Sequence, residues 1–412
     1  MISKRIGHIA LSIIMCMIAG SCGGDSKIID EPRPDLEEGM VNLVMSVTVP
    51  EAVSPGAASR AIVTNPDNDN YFEGPVDRYE KIYKLRVIIV SEKDNTVEHN
   101  KLFTLREDGV VRYDDMMFKV RGGDTKTILL IANEDRIAQE DKDKFNETGL
   151  PKGEVMTEEK LDAIKSIELP ASDLILINNE SVGEDSRSYI PMTEIYTGIE
   201  VRYPHYAEDY NQSLPNPLFV TRAAVKFSFN ILPTNGTDMY LTDITFHYIA
   251  NREYLFPINT TYSPAKGEVS NYDLGGRFIT KYDIPNGTDH NQYSFPLSKP
   301  IDLSVESCLL QPKLYFCESK LGGVNPDPNG KPYSISITVA RKDGIKEDGT
   351  PNFVQYYTYT PVSLPNLPIL PRNTHVKVNM SIDFINAQVT LKPYTGYWLN
   401  PSFGIDRDPP ED

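Results

Sequence analysis

Cysteine, tryptophan and histidine are scarce in this sequence, and each shortage closes a route. Four cysteines are spread over 412 residues. Cys16 and Cys22 fall in or beside the first apolar stretch, which leaves Cys308 and Cys317 in the body of the chain. These two allow one disulfide in an oxidising compartment, with a hairpin near Pro312 bringing them opposite each other. Two buried thiols fit the spacing equally well. The six histidines, at positions 8, 99, 205, 247, 290 and 375, lie far apart and beside no cysteine pair. His247 and His375 fall in strand-like segments and read as sheet residues. Nucleophile elbows, phosphate loops and dinucleotide fingerprints are absent, so neither an enzyme nor a bound cofactor or metal is expected. Lysine and arginine number 41 against 58 aspartates and glutamates, a formal net charge of −17. That balance argues against nucleic acid and against anionic membrane as direct partners. Beyond the first apolar run, none is long enough for a membrane helix.

Some weaker features have two readings each. Asp67-Asn68-Asp69-Asn70 offers oxygen ligands for calcium, or is a solvated acidic loop without the glycine and glutamate spacing of an EF-hand. Asp114-Asp115 and Glu158-Glu159 are ordinary pairs in so acidic a chain. The single tryptophan, Trp398, stands near Tyr394 and Tyr397, as a sugar-stacking platform or as the packing of a last strand.

What the sequence does have is concentrated in its first sixty residues. Lys4 and Arg5 precede an apolar run from Ile9 to Ile18, and Ala19-Gly20-Ser21-Cys22 follows. This series reads as a secretory signal over 1–21, with Cys22 as the acylated residue of a lipoprotein junction. Residues 23–39 are polar and acidic, as in a flexible tether. Val41, Leu43, Met45, Val47 and Val49 then alternate, which predicts a strand with one buried face. A loose stretch of small residues ends in Ser59-Arg60-Ala61. A strand followed by an exposed Arg60–Ala61 bond suggests a strand built to be cut away, over residues 22–60. That arrangement points to assembly rather than to catalysis.

The rest reads as mainly β. Leu85–Val90 and Thr127–Asn133 are nearly continuous apolar runs, as expected of central strands covered on both faces. A short helix is predicted over Thr157 to Ile167, with Thr157 as cap and Leu161, Ile164 and Ile167 on one face. Proline and polar clusters from 203 to 217 mark a boundary, giving domains over 61–218 and 219–412. In the second, strands are predicted at Val220–Phe229, Leu241–Tyr248, Lys313–Glu318, Tyr333–Ala340, Phe353–Tyr359, Thr374–Ile382 and Gln388–Tyr394. Pro-Thr-Asn-Gly at 233–236 and Pro-Asn-Gly at 285–287 and 328–330 supply turns. Short strands with such turns describe a β-sandwich.

Several segments, taken in order, resemble the fimbrillins of Bacteroidales, the lipoprotein-precursor pilins of type V pili, including the Mfa-like branch. They are the Ala19-Gly20-Ser21-Cys22 junction, the strand Val41–Val49 and Ser59-Arg60-Ala61. Next come Leu129-Leu130-Ile131-Ala132-Asn133, Ile190-Pro191-Met192-Thr193 and Thr221-Arg222-Ala223-Ala224-Val225-Lys226-Phe227. Tyr254-Leu255-Phe256-Pro257, Tyr315-Phe316-Cys317-Glu318, Leu370-Pro371-Arg372-Asn373-Thr374-His375-Val376-Lys377-Val378 and Trp398 complete the series.

The resemblance implies two tandem transthyretin-like β-sandwich domains with a few short helices. It implies an outer-membrane lipoprotein precursor, held through lipid on Cys22 and then built into a cell-surface fimbria that supports adhesion. An arginine-specific protease would cut Arg60–Ala61, and the strand bearing Val41, Leu43, Met45, Val47 and Val49 would leave a groove. A C-terminal strand of another fimbrial subunit would fill that groove by β-strand addition. The tail after Trp398 is acidic and proline-rich, a poor strand, so a donor would lie mainly in Gln388–Ile405. That departure favours comparison with an anchor or tip subunit. A surface glycan-binding lipoprotein is the reading from a different class.

Overall fold

In the computed structural model the described residues are 39–49, 78–170, 189–233, 239–247, 250, 252–257, 260–263, 268–272, 292–303, 314–320, 334–358, 362–363, 369–370, 372–383 and 388–397. The architecture is mainly β, as the alternation predicts. The order begins β1 (Met40–Thr48), β2 (Lys84–Ser91), β3 (Val97–Thr104), β4 (Arg112–Arg121) and β5 (Asp124–Ala132). Helices α1 (Gln139–Lys142) and α2 (Glu158–Lys165) follow. Then come β6 (Glu168–Pro170), β7 (Met192–Val201), β8 (Asn211–Ser213), β9 (Leu218–Phe219) and β10 (Thr221–Arg222).

Apart from β6, which pairs with a strand of the second half, these strands make two sheets. One runs β4-β1-β8, with β9 also paired to β1, and the other runs β10-β7-β5-β2-β3. A shared core lies between them, with Val41, Leu43 and Val47 of β1 meeting Leu85, Val87 and Ile89 of β2 and Ile128 and Leu130 of β5. The opposite face of β2 and β5 carries Ile88, Val90, Leu129 and Ile131, which pack with Phe145, Leu150 and Ile164. Both faces of β2 and β5 are therefore covered, which is why their sequences lack alternation. The predicted helix forms as α2, where the Thr157 hydroxyl accepts from the Lys160 amide at 3.3 Å and caps it.

The second half contributes β11 (Val225–Pro233), β12 (Met239–His247), β13 (Arg252–Tyr254), β14 (Thr260–Ser263), β15 (Glu268–Tyr272) and β16 (Gln292–Asp302). Next are β17 (Leu314–Phe316), β18 (Ser319–Lys320), β19 (Ser334–Ile345) and β20 (Pro351–Thr358). The last are β21 (Val362–Ser363), β22 (Ile369–Leu370), β23 (Thr374–Asp383) and β24 (Gln388–Tyr397). Two larger sheets run β17-β11-β23-β24 and β16-β12-β19-β20. Rings cross between them: Phe246 of β12 lies 5.3 Å from Phe227 of β11 and 4.3 Å from Phe316 of β17. The turn motifs at 233–236, 285–287 and 328–330 fall wholly or mainly outside the described residues.

One predicted strand divides. Val220–Phe229 is β10 and then β11, in sheets of different pairs. Between them Ala223 and Ala224 are buried, and their small side chains let the chain change sheets. The Ala223 amide donates to the Pro191 carbonyl at 2.9 Å, and the Ala224 carbonyl accepts from Asn373 at 2.8 Å. Pairing with the first two sheets thus continues through Arg222. The stretch 203–217 includes β8 and runs beside β1.

Candidate functional site

β1 has neighbours along both edges. It pairs antiparallel with β4 from Met40 opposite Arg121 to Thr48 opposite Arg112. On the other edge it runs parallel to β8 at Asn42–Val44 and to β9 at Val47–Thr48. Flanking bonds fix its ends: Gly122 donates to the Gly39 carbonyl at 2.8 Å, and Val49 donates to the Val111 carbonyl at 2.8 Å. On the outward face, Asn42 Nδ2 donates to Asn211 Oδ1 at 2.9 Å. The Asp114 carboxylate is held below its ordinary range by a hydrogen bond from Arg112 and then by one from Ser46.

The alternating face of β1 is buried as the pattern predicts: Val41, Leu43, Met45, Val47 and Val49 are each at most 2 % exposed. At roughly 1.5–3 kcal/mol per side chain, their burial is worth on the order of 10 kcal/mol. Opposite them, Tyr196 of β7 is fully buried, and its hydroxyl donates to the Phe219 carbonyl at 2.7 Å. The Phe219 amide donates back to the same hydroxyl at 2.6 Å. This exchange ties β9, and so one neighbour of β1, to the facing sheet. Removing β1 would expose the apolar floor and leave β4, β8 and β9 with unpaired backbone edges.

A second feature joins the two pairs of sheets and escaped the sequence reading. Glu80 is buried, with Lys226 Nζ at 2.5 Å, Tyr315 hydroxyl donating at 2.8 Å and Arg222 Nη2 at 3.6 Å. Arg222 Nη1 donates to Asn373 Oδ1 at 3.0 Å. Nearby, Arg372 Nε meets Glu318 Oε2 at 2.6 Å, and Arg372 Nη1 donates to the Leu255 carbonyl at 3.0 Å. Burial pushes the Glu194 carboxyl up to about 7, against the hydrogen bonds from the Thr221 hydroxyl and the Ile195 amide. Burial likewise pushes Glu253 up to about 7, opposed by the Arg372 charge and the Glu318 amide. Arg222 and Lys226 inside an apolar run were the signal in the sequence, because a charge at such a position needs a buried partner.

The remaining expectations fall unevenly. Cys22, Arg60, Ala61, Asp67–Asn70, Cys308 and Trp398 lie outside the described residues. Cys317 is buried with Ile190, Ala224, Ala250 and Tyr315. His247 is a sheet residue whose Nε2 is 2.9 Å from the Ser336 hydroxyl. Tyr394 and Tyr397 belong to β24, which pairs with β23 over ten residues, Gln388 opposite Asp383 through Tyr397 opposite Thr374. The predicted last strand is therefore longer than Gln388–Tyr394 and is seated in its own sheet.

No family model matches the sequence, and comparison with curated proteins returns no match. Among solved structures, the chain is similar to a candidate cell adhesion protein from Parabacteroides distasonis, at 11% identity over 87% of this chain and 97% of that one, with a TM-score of 0.47. It is similar to the tip fimbrial protein Mfa3 from Porphyromonas gingivalis, at 11% identity over 87% and 100%, with a TM-score of 0.47. A fimbrilin from Porphyromonas gingivalis gives 14% identity over 87% and 98%, with a TM-score of 0.43.

Proposed function

We propose that this protein is a structural subunit of a cell-surface fimbria, made as a lipoprotein precursor and activated by loss of its first strand. Cys22 carries the lipid that holds the precursor at the outer membrane. An arginine-specific protease cuts Arg60–Ala61, and the mature chain has a domain over 61–218 and another over 219–412. Another fimbrial subunit then supplies a strand to the vacated groove. The observation that carries this reading is the position of β1. It is the middle strand of a sheet, yet its covalent link to the strands that follow runs through residues 50–77, the segment that contains Arg60 and Ala61. Strand addition supplies backbone bonds along both edges, and alternate side chains refill the pockets.

A second reading within the same class is favoured by β24. That strand is paired along its length with β23, so the described tail holds no strand standing ready to donate. A subunit that receives a strand without giving one is an anchor or a tip.

The test uses the full-length protein and its Arg60→Ala variant under low-dose trypsin. The wild type should be cut after Arg60, because small residues on either side let the loop enter a protease. It should then associate, while Arg60→Ala stays monomeric and absent from surface fibres. Assembly of Arg60→Ala as readily as the wild type would overturn the reading. N-terminal sequencing of surface protein and fatty-acid labelling of Cys22→Ala check the two processing steps.

A further inference from the structure

We infer that the β1 groove is shaped for a strand from a chain of different sequence, with glycine two residues before five alternating apolar side chains. This chain's own β24 does not match it. The inference rests on the strand-exchange reading above and concerns which partner the groove accepts.

The entrance is the most selective point. Gly39 has φ +80°, a conformation that side chains rarely adopt, and an added Cβ would lie 3.2 Å from Tyr203 Cε2. Its carbonyl is held by the Gly122 amide, and this corner is close-packed, since a Cβ added to Gly122 would lie 2.6 Å from the Arg202 carbonyl. A replacement strand that keeps the antiparallel pairing with β4 runs in the sense of β1 and meets this point first. The reverse sense would make its long neighbour parallel, the weaker arrangement.

Halfway along, the register is fixed a second time. Met45 faces Met116 and Val47 faces Tyr113, so Ser46 stands opposite Asp114 and Asp115. Asp115 has φ 55°, which marks a bulge, and the Ser46 hydroxyl bonds the Asp114 carboxylate. A serine in the incoming strand at that point, between two apolar residues, keeps this bond.

Laid on 39–49 in the same sense, residues 387–397 match at Val389 for Val41 and Leu391 for Leu43. Past that point the match fails. Ala387 falls on Gly39, Pro393 on Met45, Tyr394 on Ser46, Thr395 on Val47 and Tyr397 on Val49. Proline in a strand flanked on both sides removes a donor and fixes φ. Threonine for buried valine adds a hydroxyl without a partner.

The test replaces residues 39–49 of the intact chain by the sequence of 387–397, which measures fit without any cutting. The melting midpoint should fall by more than about 10 °C. The same replacement with Gly39 and Met45 left in place should recover at least about half of that loss. A full replacement that melts like the wild type overturns the inference, and so does a failure of Gly39 and Met45 to restore stability. Separately, trypsin-processed protein freed of its first strand is titrated with peptides of sequence 39–49 and 387–397. The first should bind at least about a hundredfold more tightly. Equal binding overturns the inference. Failure of both peptides counts against strand exchange itself, and the replacement experiment still decides the groove's fit.

Discussion

β1 and β24 are the first and last described strands of the chain, and they are held in opposite ways. β1 has β4 on one edge and β8 and β9 on the other, and every alternate side chain is sunk in the core. Among the described residues, β24 closes one edge of its sheet and pairs only with β23. A central strand is joined to its sheet twice, so its loss opens two backbone edges at once, whereas an edge strand leaves one. Of these two strands, β1 is thus the one whose departure opens more of the fold. On the order of 10 kcal/mol of apolar burial holds β1 in its place. Under the proposed cut at Arg60–Ala61, loss of the covalent tie would lower the effective concentration of β1 at its own groove.

The largest expected effect breaks the comparison outright if it fails. A chain lacking residues 40–49 should lose amide protection throughout β2 and β5, because their facing core is uncovered. A chain ending at Ala387 should keep that protection, since β24 pairs in a different sheet from either strand. Hydrogen exchange followed by mass spectrometry reads both. Equal loss in the two truncations would mean that central and edge placement do not matter here.

The next effect concerns what ties the two strands' separate sheet pairs together. Arg222→Ala removes a buried guanidinium beside Glu80 and Asn373 and should cost about 3–5 kcal/mol, as broken buried pairs do. It should also split denaturant unfolding into two steps, with the part containing β1 separating from the part containing β24. A single transition of unchanged midpoint would show that the junction contributes little.

A smaller effect of the same junction depends on pH. Glu194 and Glu253 sit near 7 when folded, above the ordinary carboxyl value of 4.5. The folded state therefore binds more protons than the unfolded state between those values. Their contribution is full below about 4.5 and is lost as pH rises through 7, by at most about 3 kcal/mol each. Glu194→Gln with Glu253→Gln should flatten the stability profile between pH 5 and 8. A slope in the double variant equal to the wild type's would remove these groups as its source.

Much of this contrast was legible in the residues themselves. Alternation gave the buried face of β1 residue by residue, because a half-covered strand must alternate. Unbroken apolar runs gave β2 and β5, because both of their faces are covered. The division of Val220–Phe229 was not legible, since Ala223 and Ala224 suit a strand and a sheet crossing equally, and only the partners decide. Nor was the parallel pairing of β1 with β8 and β9, which are three and two residues long and too short for any period to show. The acidic partners of Arg222, Lys226 and Arg372 lie far off in sequence, so the charges were visible and their pairing was not.

The smallest expected effect sharpens the comparison at the weaker edge of β1. β4 holds that strand over eight paired residues, while β8 and β9 hold it over three and two. The short edge needs support from elsewhere, and Tyr196 provides it by donating to and accepting from the backbone of Phe219. Tyr196→Phe keeps the ring in the core and leaves both Phe219 groups without that partner, which costs about 1–2 kcal/mol in the intact chain. The effect should be larger on rate than on stability. Once Arg60–Ala61 is cut, β1 is freed first from its short side, so the variant should release the strand severalfold faster, as read by a fluorescent label on residue 40. Truncating a side chain on the long side, as in Phe118→Leu, should lower stability by a similar amount and change the release rate less. Equal acceleration by both variants would mean that β1 leaves from both edges at once, and the short neighbours would then be no gate.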